Sequence, residues 1–443
     1  MVHGTLLFLG FWGAVAGIAL AFIAQRYWFA RAWRSAGRIS HRSWRKTARV
    51  GLLIVLAAIT LSALAGIVRN LRTTVSYGSW WTAFFGLWLS SSIIAYLLIK
   101  VIAGMEWTWI RLRSARASKA PALPQPSVQI AGEVDHSRRN FFQAAGFLAG
   151  TIPFVSFSYG FMQERFGFRV QEINIPVANL PPALEGMRIA QLSDIHIGSY
   201  MPIAQVRRAV SMANELGSDL TVVTGDFLTA RPDPLEDCIK ELSHLRAPLG
   251  VWGCNGNHEI YAGAEQTAQT LFQKYGMKLL RIQNAELNFQ GGKFNLIGVD
   301  YQRQRTRNGD PAPMLAGVDA LVRRDIPNIL LSHNPNSFPR AAELGIELSL
   351  AGHTHGGQVR VEILDDDWNP ARFLTPYIAG LYQRPLNFSS ALSDKHLAEL
   401  FPESSLQSLP ASKIYVNRGL GTIGAPVRLG VPPEITLITL RRG

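Results

Sequence analysis

Long apolar segments fill the first third of the chain. Four of them are free or nearly free of charged residues, and they cover Leu6–Ala24, Val50–Val68, Trp80–Ala103 and Phe141–Met162. A helix that spans a bilayer needs roughly 20 apolar residues, which the first three segments supply, whereas Pro153 interrupts the fourth. We predict three transmembrane helices in residues 1–113, a cytoplasmic linker in residues 114–140 and a fourth transmembrane anchor in residues 141–162.

The pattern changes near residue 170 to short apolar strands that alternate with amphipathic helices. The clearest strands are Met187–Ser193, Leu220–Thr224 and Gly250–Cys254, and helices are predicted between them at Ile203–Leu216 and Leu235–His244. Further strands are expected at Lys278–Arg281, Lys293–Val299, Pro327–Ser332, Ile346–Leu350, Val359–Ile363, Ile414–Asn417 and Ile435–Leu440. This alternation predicts an α/β domain over residues 165–443, with its site at the C-terminal ends of the strands.

Charge is distributed unevenly along the chain. The formal net charge is +13, yet residues 1–140 hold 17 of the 44 basic residues and only 3 of the 31 acidic ones. Because basic loops mark the cytoplasmic side of a membrane, segments 26–49 and 111–139 are predicted to be cytoplasmic. Four spans then place the domain after residue 162 outside the cytoplasm. The remaining residues are close to neutral, so no nucleic-acid partner is expected.

An export motif is suggested just before the fourth apolar segment. Ser137-Arg138-Arg139-Asn140-Phe141-Phe142 resembles the S-R-R-x-F-L-K motif of twin-arginine signals, which would make the twin-arginine export machinery a partner. The alternative is a further pair of arginines on the cytoplasmic side. Both interpretations give the same topology.

Side chains that bind metals follow the predicted strands. They are Asp194, His196, Asp226, Asn257, His258, His333, His353 and His355, and they include five of the ten histidines in the chain. If Ala351–Gln358 is extended, His353 and His355 point to the same side of one strand, and the adjacent glycines allow a close approach to a ligand. A mixture of carboxylate, imidazole and amide donors is typical of sites for two divalent first-row metals.

The ordered motifs resemble those of a known family. D-x-H, G-D, G-N-H-E, H and G-H-T-H-G-G-Q follow one another across residues 194–358, as in the calcineurin-like metallophosphoesterases, and the C-terminal segment is similar to a membrane-associated bacterial branch. The resemblance implies a four-layer α-β-β-α sandwich. With the four spans and the basic segments, it predicts a bacterial inner (plasma) membrane protein whose catalytic domain lies outside the cytoplasm.

The resemblance also implies the roles of the site residues. One metal would be held by Asp194, His196, Asp226 and His355, and the other by Asp226, Asn257, His333 and His353. His258 would be catalytic, contacting the phosphate and helping the leaving group, while a hydroxide bridging the two metals (Mn, Fe or Zn) attacks phosphorus. Substrate contacts would come from Asn257, His258 and Arg418, although a structural ion pair is an equal alternative for Arg418.

Two departures from the family pattern stand out. Many relatives have G-D-x-x-D, whose last Asp supports the catalytic His, but this chain has Thr229 there. The orientation of His258 is therefore expected to depend on Glu259 or another partner. A polar insertion, Asn387–Pro410, replaces a short connection and is either a flap over the site or a solvated loop.

Together these patterns predict a membrane-anchored phosphoesterase. Its substrate would be a phosphodiester, pyrophosphate or phosphomonoester, belonging to a small molecule, a lipid or a cell-envelope polymer. The alternative is a non-catalytic envelope protein that contains metal and binds a phosphorylated polymer or lipid.

Overall fold

The computed structural model describes residues 2–72, 80–117, 136–231, 233–303, 313–363, 366–373, 375–392 and 409–443. It divides into two compact units, of which the first comprises Met1–Arg72 with Trp80–Tyr159 and the second contains Gly160–Gly443.

Long helices form the first unit. They are α1 (Val2–Gly37), α2 (Arg42–Arg72), α3 (Trp80–Ala117) and α4 (His136–Met162). Within the described residues, Ala83–Leu112 and Asn140–Phe166 are long and apolar enough to cross a membrane. Helix α4 continues through Pro153, and it begins before the anchor expected from residue 141. Most of the linker, residues 118–135, lies outside the described residues.

Polar contacts join α1 to α3 within this apolar unit. The Gln25 amide donates to Ser92 Oγ at 2.6 Å, and Trp88 Nε1 donates to the Gln25 amide oxygen at 2.9 Å. Side chains such as Val101, Phe147 and Val155 are exposed, as expected where lipid replaces water. Hydrogen bonds between helices compensate buried polar groups in such surroundings.

The second unit contains fourteen described strands and five described α-helices, besides short 3-10 helices. The strands are β1 (Arg169–Val177), β2 (Arg188–Leu192), β3 (Leu220–Thr224), β4 (Val251–Cys254), β5 (Lys278–Leu279), β6 (Gln283–Phe289), β7 (Gly292–Gly298), β8 (Asn328–Leu331), β9 (Leu348–Ala351), β10 (Val361–Ile363), β11 (Asp366–Trp368), β12 (Gly380–Pro385), β13 (Ala411–Val416) and β14 (Glu434–Arg442). The helices are α5 (Ile203–Glu215), α6 (Leu235–Leu242), α7 (Asn257–Ala262), α8 (Glu265–Lys274) and α9 (Phe338–Glu343).

Two six-stranded sheets carry the fold. Their orders are β1-β14-β2-β3-β4-β5 and β12-β13-β9-β8-β7-β6. Strands β2 to β5 run parallel in the first sheet, and β7, β8, β9 and β13 run parallel in the second. Parallel strands release their loops at one edge, so each sheet directs several strand ends toward the same side.

Three apolar clusters establish the layers. Val222, Phe294 and Leu350 belong to a core between the two sheets. On the outer face of the first sheet, side chains from α5, α6 and α8 pack against Val223. On the outer face of the second, Ala341 of α9 packs with Ile297. The order helix, sheet, sheet, helix confirms the predicted four-layer α-β-β-α sandwich.

The apolar pattern did not predict four strands, β1, β6, β11 and β12, and three of them are edge strands of the six-stranded sheets. β1 borders the first sheet, while β6 and β12 border the second. Much of β6 is exposed, and β12 ends in Pro385, which cannot donate to a ladder. Edge strands bury fewer side chains, so their sequences lack a continuous apolar run. Most of the Asn387–Pro410 insertion, residues 393–408, lies outside the described residues, so its predicted role as flap or loop stays open.

Candidate metal centre

Loops after five strands bring the predicted donors together. Asp194 and His196 follow β2, and Asp226 follows β3. The α7 helix that follows β4 begins with Asn257 and His258. His333 follows β8, and His353 and His355 follow β9. Seven of these eight residues are buried and His353 is half-buried, so the predicted donors do lie together beyond the strand ends.

One cluster comprises Asp194, His196 and His355. The Nε2 atoms of His196 and His355 lie 3.2 Å apart, and Nε2 of His355 lies 3.3 Å from Asp194 Oδ1. One donor atom from each of the three residues falls within 4.8 Å of the others. Donors this close around one point fit a metal site.

A second cluster comprises Asp226, His333 and His353, again with donor atoms within 4.8 Å of one another. Asp226 also reaches the first cluster, because its Oδ2 lies 3.1 Å from His333 Nε2 and 3.4 Å from His196 Nε2. A single carboxylate oxygen therefore stands between histidines of both clusters.

The backbone at the donors is strained. Five of them have left-handed φ angles, namely Asp194 (52°), His196 (49°), Asp226 (55°), His353 (76°) and His355 (51°). Residues with a Cβ seldom adopt this conformation, and such residues concentrate at functional sites. The backbone at these five residues therefore adopts an unfavourable conformation that directs the donor side chains into the clusters.

The predicted extended conformation of Ala351–Gln358 is wrong. Strand β9 ends at Ala351, and His355 begins a short 3-10 helix. Positive φ at His353 and His355 breaks the two-residue alternation of a strand. The two imidazoles consequently enter different clusters, as the resemblance implied, but from a turn instead of one strand face.

Gly352 lets this turn approach β2. A Cβ there would lie 2.0 Å from Ser193 Oγ and 2.3 Å from Asp194 Oδ2. Without a Cβ at Gly352, the Asp194 carboxylate can approach the turn and accept hydrogen bonds from the His353 backbone N–H, at 3.0 and 3.1 Å. The turn is therefore fastened to the carboxylate that shares the first cluster.

Hydrogen bonds set the ring orientation of three histidines. His333 Nδ1 donates to the Thr224 carbonyl at 2.6 Å, and His258 Nδ1 donates to the Thr229 carbonyl at 2.5 Å. His196 Nδ1 lies 3.2 Å from Thr229 Oγ1. Each contact engages Nδ1 and leaves Nε2 for the site, which is the usual arrangement of histidines that bind metal or substrate.

Glu259 does not take the predicted role beside His258. Its carboxylate accepts backbone N–H groups of Asp226, Phe227 and Gly256 at 2.7 to 2.9 Å. Burial raises the pKa of Glu259 to about 7, with the nearby Asp226 carboxylate adding to the effect. Glu259 thus holds the Asp226 loop, and the Thr229 carbonyl orients His258.

The charge states of the buried histidines and carboxylates favour binding of a cation in the two clusters. Burial lowers the pKa of His196 to about 3 and of His353 to about 4, so both imidazoles are neutral and can donate lone pairs. Burial also acts to lower the pKa of His333, but the Asp226 and Asp194 carboxylates outweigh it and raise that pKa to about 10. The two buried carboxylates therefore stabilise the protonated, positively charged form of the His333 imidazole.

The donor set fits divalent metal ions. Asn257 Oδ1 is buried without a hydrogen-bond partner among the described residues. Such atoms are costly unless a ligand satisfies them. Carboxylate, imidazole and amide donors of this kind suit divalent metal ions.

Arg428 holds the loop that contacts the Asp194 backbone, and it was not singled out from the sequence. Its buried guanidinium donates to the carbonyls of Arg418, Gly419 and Gly421. Gly421 N–H in turn donates to the Asp194 carbonyl at 2.7 Å. An arginine within a G-A-P-V-R loop carries no local signal for this role, because its partners are backbone carbonyls.

Arg418 lies outside both clusters. Its side chain packs beside Gly356, and its Nε lies 3.4 Å from Glu434 Oε2. The structural ion pair considered for Arg418 is therefore present, while a substrate contact by Arg418 stays a prediction.

Comparisons with known proteins agree with this geometry. The family model "Calcineurin-like phosphoesterase" matches residues 187–357, and "Probable Calcineurin-like phosphoesterase, transmembrane domain" matches residues 11–165. The chain is 29% identical over 367 residues to "Transmembrane protein with metallophosphoesterase domain" of Bos taurus, covering 80% of this chain and 72% of that protein.

Two bacterial proteins are also similar to this chain. An "Uncharacterized metallophosphoesterase" of Aquifex aeolicus is 30% identical over 284 residues, which is 63% of this chain and 94% of that protein. "Phosphodiesterase YaeI" of Escherichia coli is 26% identical over 311 residues, 69% of this chain and 99% of that protein. The chain thus belongs to the calcineurin-like metallophosphoesterases, a family of metal-dependent phosphoric ester hydrolases, and it combines their phosphoesterase domain with a membrane domain.

Proposed function

We propose that this membrane protein hydrolyses a phosphoric ester at a centre of two divalent metal ions. The observation that carries the proposal is the position of Asp226, whose Oδ2 lies 3.4 Å from His196 and 3.1 Å from His333. A carboxylate shared by two donor clusters is the arrangement that brings paired metals to about 4 Å.

The chain provides a donor set for each ion. Asp194, His196, Asp226 and His355 would hold one, and Asp226, Asn257, His333 and His353 the other. When bound, the two ions (Mn, Fe or Zn) would acidify a water molecule and offset the charge on the phosphoryl oxygens.

Apart from the metal ions, the group that acts on the substrate is the His258 side chain. Its ring lies edge-on to His196, with centroids 4.7 Å apart. Because Nδ1 donates to the Thr229 carbonyl, Nε2 is the nitrogen that meets the substrate. When the ring carries a proton on both nitrogens, Nε2 donates a hydrogen bond to a phosphoryl oxygen or transfers its proton to the departing alkoxide, which leaves the imidazole neutral. Asn257, from the same turn, adds an amide contact to the phosphoryl group.

We infer a phosphodiester as the reacting group, with a pyrophosphate or phosphomonoester as alternatives. A relative that this chain covers almost completely is named a phosphodiesterase, which supports that choice. Anchoring to a bilayer supports a lipid-linked or cell-envelope substrate, and the basic cytoplasmic segments support a site outside the bacterial inner membrane. Arg138 and Arg139 would direct the domain to the twin-arginine export machinery.

Hydrolysis of bis-p-nitrophenyl phosphate by the full-length protein in detergent tests the proposal. We expect turnover that requires Mn²⁺ and falls at least 100-fold in Asp226→Asn and His258→Ala, by analogy with general acid–base contributions of roughly 10²–10⁴-fold. The matched control is Asp237→Asn, an exposed carboxylate on α6. Rates in Asp226→Asn equal to those of the control would disprove the assignment.

The hydrolysis assay also distinguishes the proposed phosphoesterase from the competing, non-catalytic function. A non-catalytic envelope protein would bind two metal equivalents without hydrolysing any phosphoric ester. The involvement of His258, which is additional to the two metal donor sets, favours catalysis.

A further inference from the structure

A single peptide group joins the imidazole of His258 to the carboxylate of Asp233. Its carbonyl, which belongs to Thr229, accepts the hydrogen bond from His258 Nδ1 at 2.5 Å. Its N–H, which belongs to Ala230, donates to Asp233 Oδ2 at 2.9 Å. The two hydrogen bonds therefore lie on opposite ends of the same planar unit.

The two hydrogen bonds on this peptide group reinforce each other. In a trans peptide group the N–H and the C=O point in opposite directions, and the dipole of the group runs between them. The positive end faces the Asp233 carboxylate, and the negative end faces the Nδ1–H of His258. Hydrogen bonds in such a chain polarise one another, so the contact to Asp233 makes the Thr229 carbonyl a better acceptor for His258.

Asp233 is itself held in one position. Its Oδ2 also accepts the Thr229 N–H at 3.0 Å, and its own N–H donates to the Ala230 carbonyl at 2.9 Å. The carboxylate packs against the loop after β2, where a Cβ on Gly198 would lie 2.9 Å from Asp233 Oδ1. A peptide plane can rotate about the torsions on either side of it, and these contacts prevent that rotation at Thr229 and Ala230.

Ring packing alone does not determine which nitrogen of His258 faces the substrate. The ring lies 4.7 Å from the His196 ring and 5.7 Å from the Tyr261 ring, measured between centroids. An imidazole turned halfway about its second side-chain torsion has nearly the same outline, so such contacts tolerate both orientations. The hydrogen bond to the Thr229 carbonyl selects the orientation in which Nε2 is directed into the site.

We propose that Asp233 is a positioning residue for His258 and acts through the peptide group between Thr229 and Ala230. Asp233 is a member of neither donor cluster, so its contribution comes from fixing the carbonyl that aims the imidazole. A misplacement of about 1 Å in a reacting group can cost roughly 100-fold in rate. This inference rests on the proposed function, in which His258 assists the reacting phosphoryl group and the leaving oxygen.

Two substrates of similar shape test the role of Asp233 in the full-length, Mn²⁺-saturated protein in detergent. Diphenyl phosphate has a poorer leaving group than bis-p-nitrophenyl phosphate and depends more on a proton from His258. We expect Asp233→Ala to lower kcat about tenfold for diphenyl phosphate and about threefold for bis-p-nitrophenyl phosphate. Asp233→Leu, which keeps the volume of the side chain and removes the acceptor, should give the same pattern and replaces the alanine variant if that variant does not fold.

Two further variants separate positioning from general damage. Both N–H groups donate to one oxygen of Asp233, so the amide oxygen of Asp233→Asn can replace it, and kcat should stay within about twofold of wild type for both substrates. Asp219→Ala is the matched control, because Asp219 is also half-buried and its Oδ2 accepts the Arg188 N–H at 2.8 Å, at the opposite end of β3 from the site. It should keep the wild-type kcat for both substrates.

A double-mutant cycle shows whether Asp233 acts through His258. In a His258→Ala background, Asp233→Ala should lower kcat no further, since no imidazole remains to be positioned. An equal loss in both backgrounds, an equal loss for both substrates, or a loss in Asp233→Asn as large as in Asp233→Ala overturns the positioning role and leaves the proposed function intact. A wild-type rate in His258→Ala itself overturns the proposed role of His258, and the positioning role with it.

Discussion

The carbonyl oxygen of Thr229 lies 2.5 Å from Nδ1 of His258. Many relatives support this histidine with a carboxylate, which Thr229 replaces here, and of the two expected substitutes, Glu259 or another partner, the chain uses the second, a backbone carbonyl. Thr229 also places its hydroxyl 3.2 Å from His196 Nδ1. Asp233 fixes the loop, because its Oδ2 accepts the N–H groups of Thr229 and Ala230 at 3.0 and 2.9 Å. One residue thus orients two histidines through different atoms.

Thr229→Val separates these two contacts. The substitution removes the hydroxyl beside His196 and retains the carbonyl at His258. We expect Mn²⁺ affinity to fall by about 10- to 100-fold, the usual effect of losing a support behind a metal-binding histidine. At saturating Mn²⁺, kcat should fall much less than in His258→Ala. Thr270→Val, whose hydroxyl bonds within α8, is the control for calorimetric Mn²⁺ titrations. An unchanged Mn²⁺ affinity would contradict the proposed contact.

His353→Ala and His355→Ala should each remove a different metal ion. The two imidazoles lie in separate clusters, so each truncation deprives one site of a donor. Mass spectrometry of metal content after dialysis should find about one equivalent in either variant and two in the wild type. The single-site variants should also bind the remaining ion with different affinities. Loss of both ions, or of neither, in both variants would refute the assignment of separate sites.

Removing metal should destabilise the phosphoesterase domain. Asp194 and Asp226 are buried carboxylates within reach of His333, and bound cations would relieve their repulsion. A ligand at 100 times its Kd stabilises the native state by about 2.7 kcal/mol, which predicts a Tm increase of roughly 5 °C or more. Thermal melts after chelation and after addition of Mn²⁺ measure this shift. Asp226→Asn should show a smaller shift in Tm. A wild-type Tm that does not change on addition of Mn²⁺ would argue against a resident metal.

Gly352→Ala should impair the site by steric contact. Its Cβ would meet Ser193 Oγ at 2.0 Å and Asp194 Oδ2 at 2.3 Å, so the carboxylate must move. Gly276→Ala is the matched control, because it lies in open space and introduces only the left-handed strain of about 1 to 2 kcal/mol. We expect both variants to lower the unfolding free energy and only Gly352→Ala to lower Mn²⁺ affinity. Equal affinities in the two variants would show that the turn tolerates a Cβ.

The proposed topology can be tested by adding protease to spheroplasts. A site outside the cytoplasm predicts that fragments from the region after residue 165 are released, while a cytoplasmic marker protein stays intact. Lysine substitution of Arg138 and Arg139 together tests export, since twin-arginine signals depend on that pair. Protection of the domain in intact spheroplasts would reverse the orientation inferred from the basic segments.

Local patterns in the sequence located the central strands and the donors. Leu220–Thr224 was predicted with the bounds that β3 has, because a buried parallel strand needs apolar or small side chains on both faces. Asp194, Asp226 and His333 follow such strands, and parallel strand ends share an edge. These residues could therefore be assigned to one site before their distances were known.

Only the tertiary structure decided how the donors are held. The turn at His353 and His355 depends on Asp194, 159 residues away in the chain, which accepts the His353 N–H. The Thr229 carbonyl could not be recognised as a partner of His258 either, because every residue has a carbonyl. The sequence by itself determined which chemical groups reach the site, since strand periodicity is local. Packing between distant segments decided their backbone conformations and their hydrogen-bond partners.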